Sequence, residues 1–169
     1  MSKRYLYFIV YLFCALPVGA QTLSQQVNVD AYLRLTFPKR PSHYDAKDIT
    51  AFSTTVNHTT YDLTKIVKKF PAMSEQQHGE LMDKLAQRWI ADALYEGLTK
   101  QMTDSVIGGT QGRFIKMGRP DQTKPLFVFI FLTIRGTNIY ILKCSSSKQE
   151  ANALADARHF YEGVVFQAE

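Results

Sequence analysis

Cysteine is nearly missing from this chain: 169 residues hold two, Cys14 and Cys144. Cys14 falls in an N-terminal segment read below as removed, so no intrachain disulfide is expected and the fold must rest on a packed core. Blocks of like charge are missing as well, since Lys39-Arg40 and Lys68-Lys69 are only pairs. The formal charge of +5 drops to +3 once Lys3 and Arg4 leave with that segment. So mild a balance excludes a nucleic-acid footprint. No apolar run reaches the ~20 residues of a membrane span. Gly-x-Ser-x-Gly, His-Glu-x-x-His and a glycine loop closed by Gly-Lys-Ser/Thr are all lacking, which removes the commonest motif-borne hydrolase, zinc and nucleotide chemistries. Repeats, low-complexity tracts and internal linkers are absent too.

What is present starts with an export signal. Lys3 and Arg4 form a basic start, Tyr5 to Leu16 is almost wholly apolar, and Val18 and Ala20 put small residues at −3 and −1 of a cut before Gln21. That order of charge, apolar stretch and small residues is a secretory signal. Bulky Tyr11-Leu12-Phe13 ahead of Cys14 argues against lipidation. Residues 1–20 are therefore expected to be cleaved. Residues 21–169 should then form one globular domain with no membrane span, exported to the periplasm or secreted. A domain of that size buries about 68–70% of its unfolded surface, enough for a core without staples.

Along the chain, Val29, Ala31, Leu33, Leu35 and Phe37 alternate with polar residues and predict a strand halted by Pro38 and Pro41. Ile49–Val56 and Thr59–Val67 read as a hairpin turning at Asn57-His58. Ser74 with Gln77 is a capping box opening a long helix, expected over 75–101, with an apolar stripe through Leu81, Leu85, Trp89 and Ala93. Val106 to Met117 reads as one strand bent where it is entered through Gly108-Gly109 and Gly112. Leu126 to Ile134 lacks alternation and must be covered on both faces. It turns at 135–138 into an antiparallel neighbour, Ile139 to Cys144. Cys144 shares a face with Tyr140 and Leu142 there, as a small core hydrophobe does. Ser147 with Glu150 looks like a second capping box, and Gly163 ends the last helix. These elements make an α+β domain with an antiparallel sheet between helical layers.

Candidate chemistry is sparse. His43, His58, His78 and His159 lie on separate elements without ligand spacing, so no metal is expected. Gly108-Gly109-Thr110-Gln111-Gly112 leads into a strand, whereas a phosphate cradle leads into a helix N-terminus. No catalytic residue and no cofactor is assigned. If a pocket exists between helix and sheet, Tyr61, Trp89, Arg113 and His159 are the residues expected to line it.

Several short motifs occur in a familiar order: Tyr32-x-x-x-x-Phe37-Pro38-x-x-Pro41, Thr60-Tyr61-Asp62-Leu63, Gly109-x-x-Gly112-Arg113, Arg135-Gly136-x-x-Ile139-Tyr140-Ile141-Leu142, and Phe160 to Phe166. In that order the chain resembles the PsbP-like family, whose members include an extrinsic lumenal protein of photosystem II, a Ran-binding nuclear import factor and many exported bacterial proteins. The resemblance implies a PsbP-like α/β/α sandwich with an antiparallel sheet, and an accessory role in place of one shared catalytic site. It carries over no functional residue. Gly163 and Val164 stand where family members often have Ser and Phe.

The expected function is thus an exported, non-enzymatic accessory or protein-binding domain whose partner is another envelope or secreted protein. The alternative is a small-molecule-binding domain with a pocket between helix and sheet, of small hydrolase or isomerase type. A structural envelope component would instead form oligomers through an exposed sheet edge.

Overall fold

A computed structural model describes residues 24–71, 73–120 and 123–167; the signal expected over residues 1–20 lies outside them. The strands are β1 (Gln25–Asn28), β2 (Leu33–Phe37), β3 (Ser42–Ala46), β4 (Ile49–Val56) and β5 (Thr59–Val67), followed by helix α1 (Glu75–Ile90). Then come β6 (Thr99–Ile107), β7 (Thr110–Arg119), β8 (Leu126–Arg135), β9 (Asn138–Ser146), helix α2 (Glu150–Glu162) and β10 (Val164–Phe166). The chain is α+β and mostly strand. Its main sheet runs β3-β4-β5-β9-β8-β7-β6, and a small one runs β1-β2-β10. Every strand pairing is antiparallel.

The period-two side-chain rule sorts the main sheet into two faces. Phe127, Phe129 and Phe131 of β8 join Tyr140, Leu142 and Cys144 of β9, Tyr61 and Leu63 of β5, and Ala153, Ala157 and Phe160 of α2. The small sheet closes this cluster with Leu33, Leu35, Phe37, Val164 and Phe166. The alternate residues Val128, Ile130, Leu132, Ile134, Ile139 and Ile141 face α1, with Ile115 and Met117 of β7. β8 is accordingly buried from Phe127 through Ile134. A helix lies on each face of the sheet.

Turn chemistry sets the hairpins. Asn57 and His58 both have positive φ, 47° and 66°, the geometry a two-residue turn between twisted strands needs. Gly108 and Gly109 do the same, with φ of 58° and 81°. They are not a bend in one strand as the sequence suggested but the turn between β6 and β7. Residues 99–105, expected to continue the helix or link it to the next strand, form most of β6. The helix stops at Ile90 because a 3-10 turn over Ala93–Tyr95 follows, with Asp92 Oδ1 accepting from Leu94 N at 2.9 Å and Gly97 at φ 75°. Gly112 serves close packing: a Cβ there would meet the Leu132 carbonyl oxygen and the Phe131 ring.

The first strand also differs. Val29 to Ala31 leaves the ladder because Asp30 Oδ1 accepts from the backbone N–H groups of Tyr32 and Leu33 at 2.8 and 3.0 Å, turning the chain between β1 and β2. The capping box at Ser74 and Gln77 is present with both bonds made. The second one is not. Gln149 is the N-cap of α2, without a side-chain bond. Ser147 N donates instead to His58 O at 3.1 Å, which keeps that segment extended against the β4–β5 turn. Glu150 turns aside to Lys116 at 2.6 Å.

Candidate functional site

The two faces of the sheet are finished differently. On the α2 face the packing is closed, and its polar groups are absorbed. Tyr161, buried, donates its hydroxyl to Phe129 O at 2.8 Å, with Leu142 O at 3.2 Å. Burial raises its pKa well above the ordinary tyrosine value. Tyr140 donates to Asp30 Oδ2 at 2.8 Å, and burial followed by that carboxylate raises its pKa too. Burial pushes the Cys144 thiol up to about 12, with the Asp156 charge adding to it. So high a pKa leaves almost no thiolate at neutral pH, and such a cysteine is inert. Near the end of this core, Thr59 donates to Asp156 at 2.6 Å and meets Ser146 Oγ at 2.9 Å, while Lys148 Nζ also holds Asp156 at 2.6 Å. Each member has its partner, so the group is a satisfied strut.

On the α1 face the helix is offset. It packs over β7 and β8 through buried Met82 and Ala86, while Leu81, Leu85, Trp89 and Ile90 are only partly covered. The sheet is wider than the single helix that sits on it. Beyond its edge a cleft of about 340 Å3 opens, with Leu85 and Trp89 on the helix wall and Ile66, Ile139, Ile141 and Leu132 on the sheet wall. Arg88 and Asp92 stand at its rim. Tyr95 lies near Trp89, ring centroids 6.4 Å apart, and burial raises its pKa.

The sheet continues past the cleft as a polar strip on the same face. Register places Ser53 opposite Asp62 and Asp62 opposite Lys143. Ser53 Oγ donates to Asp62 Oδ1 at 2.6 Å, and Lys143 Nζ sits 3.0 Å from Asp62 Oδ2. Tyr44, on the outer strand, is 62% exposed. An apolar slot beside a charged, hydroxyl-rich strip can hold a molecule with both characters; nothing in it poises a proton or a nucleophile.

The four positions picked from the sequence fall in three places. Trp89 lines the cleft. Tyr61 and His159 line a separate depression of about 210 Å3 on the α2 face, with Pro38, Phe160 and Gly163. Arg113 borders an open hollow below the start of α1 with His78 and Gln111. Its guanidinium bridges Asp83 of α1 and Asp104 of β6, each at 2.6 Å, and the bond to Asp83 chiefly raises its pKa. Arg113 is a clamp between helix and hairpin. The sequence reading missed Leu85, Ile66, Ile139 and Ile141 as site residues. The signal for Leu85 was there, four residues before Trp89 on a stripe too wide for one-sided burial. The isoleucines looked like any buried strand.

Among the described residues no three His, Cys, Asp or Glu side chains are grouped to hold a metal, and no helix is long and apolar enough to cross a membrane. The fold defines the chain as an α+β protein built on an antiparallel sheet. No protein-family model matches it, and no curated protein matches its sequence. Among solved structures it is similar to LpqN, involved in cell envelope biogenesis of Mycobacterium tuberculosis, with 13% identity and a TM-score of 0.48, covering 86% of this chain and 91% of that one. A likeness of that depth carries no function across.

Proposed function

We propose that this chain is an exported accessory protein that acts by binding, with residues 1–20 as its secretory signal and residues 21–169 as one domain of the PsbP-like kind. Its partner is another envelope or secreted protein, docked on the α1 face. The observation behind this reading is the cleft: partly uncovered Leu85 and Trp89 facing Ile66, Ile139 and Ile141, rimmed by Arg88 and Asp92, with the Asp62–Lys143 strip beyond it on the same face. An apolar centre with a polar margin is how protein interfaces are laid out, and tryptophan and arginine are the residues that most often dominate them. A photo-crosslinking side chain placed at Leu85 in cells should give one defined adduct. The same group at Leu154, exposed on α2, should give none. Adducts from neither position, or equally from both, would sink the reading.

The cleft volume supports a second reading, since about 340 Å3 falls at the small end of ligand pockets, which begin near 300 Å3. Trp89 is the only tryptophan in the chain, so its emission reports directly on the cleft. A small molecule that shifts this emission saturably, and at 100 times its Kd adds about 2.7 kcal/mol of stability, favours ligand binding over protein docking.

A further inference from the structure

β6 is an outer edge of the main sheet. Among the described residues its hydrogen-bonded neighbour is β7 alone, so alternate backbone N–H and C=O groups along nine residues point away from the ladder. Long edges are usually blunted by a bulge, a proline or a covering segment. Among the described residues β6 has none of these. It pairs with β7 residue for residue from Thr99–Gly118 to Ile107–Thr110, contains no proline, and is exposed over most of its length. Its one blunting device is a charge, Lys100, and an opposite charge stands four residues on at Asp104.

We propose that β6 pairs antiparallel with β6 of a second copy of this chain, centred on Met102, so that two seven-stranded sheets join into one. A two-fold axis through that centre, perpendicular to the sheet, puts α1 of both copies on the same side. Lys100 then lies directly opposite the partner's Asp104, and Asp104 opposite the partner's Lys100, within reach of a cross-strand ion pair. On the other face Thr99 meets the partner's Ser105 and Gln101 the partner's Thr103, pairs that hydrogen-bond. Half-buried Met102 meets its own copy and is covered.

Charge selects this register among its neighbours. Centring on Lys100 or on Asp104 sets like charges directly opposite, which destabilises a strand pair. Centring on Thr103 sets Asp104 against Met102 and Lys100 against Val106, and forms no ion pair. Both charged groups have capacity left. Asp104 binds Arg113 through Oδ1, yet its side chain remains 83% exposed. Lys100 donates to Ile90 O at 2.5 Å on the surface, and an ammonium carries three donors.

Sedimentation equilibrium of the full protein tests this, with Lys100→Asp, Asp104→Lys and the double exchange alongside. The expected result is a concentration-dependent doubling of mass in the parent. Each single variant should move the midpoint to at least about tenfold higher concentration, since two attractive cross-strand pairs become repulsive. The double exchange should recover the parent midpoint, its ion pairs being restored with reversed polarity. A parent that stays monomeric up to about 1 mM overturns the proposal. So does a dimer that the single variants leave unchanged, or a folded double variant that recovers nothing. Hydrogen exchange on the parent is independent of any variant's folding: amides within 99–107 should slow as concentration rises, and unchanged rates alongside a doubled mass would place the contact elsewhere.

Discussion

The two faces of the main sheet are made by the same strands, often by adjacent residues, and yet they do different work. The α2 face is closed by a helix and a three-stranded sheet together, which bury Phe129, Phe131, Tyr140 and Phe160 almost completely. The α1 face has one helix, offset over β7 and β8, so Ile66, Leu85 and Trp89 stay partly uncovered along the cleft. A single helix is about 10–12 Å wide, whereas neighbouring strands lie about 4.8 Å apart. One helix therefore covers two or three strands of seven. Stability is concentrated on the face with two covering layers, and the binding surface is what the other face leaves over.

The sharpest way to break that contrast is Phe129→Ala, which removes a wholly buried ring from the closed face. It should cost about 3–5 kcal/mol in urea unfolding. Alkali comes next. The Cys144 thiol rises from its ordinary 9.0 to about 12 on folding, so the native state holds its proton more tightly than the unfolded chain. That stability is fully present below about pH 9 and is lost as the pH climbs from there toward 12. Raised pKa values at Tyr61, Tyr140 and Tyr161 act in the same direction at higher pH. Urea midpoints should fall above about pH 9; a midpoint that rises there would contradict the enclosure of this face. Tyr161→Phe keeps the ring and deletes the hydroxyl bonded to Phe129 O. Its expected cost is about 1–1.5 kcal/mol, and near-UV circular dichroism should stay intact.

The smallest effect belongs to the open face. Leu85→Ala, on the cleft wall and partly exposed, should cost only about 1 kcal/mol. Its larger consequence should be loss of binding at the cleft. If it destabilises as strongly as Phe129→Ala, the two faces are not closed to different degrees.

Much of this architecture was readable without coordinates. Unbroken hydrophobicity from Leu126 to Ile134 demanded cover on both faces, and β8 has it. Asn57-His58 announced a hairpin, Ser74 and Gln77 a helix start, and Cys144 a place in the core. Errors came where a local signal competed with a distant one. Residues 99–101 were expected to end the helix but are claimed by pairing with β7. Ser147 suits a cap but is held by His58 of the neighbouring β4–β5 turn, far away in sequence. Asp30 breaks an otherwise regular alternation by bonding its own backbone.

For the site the division is sharper. Trp89 could be nominated from helical spacing, because that spacing is a property of neighbours in sequence. Tyr61, Arg113 and His159 could be nominated only by residue type, and the structure sends them to other places. What the sequence determined by itself is the β4–β5 hairpin, strands β8 and β9, the presence of both helices and the face their residues take, since these follow from periods of 2 and 3.6. Which strands α1 covers was decided only by the tertiary structure. So was the meeting of Leu85 with Ile66 and Ile141, because the offset of a helix on a sheet depends on side chains far apart in the chain.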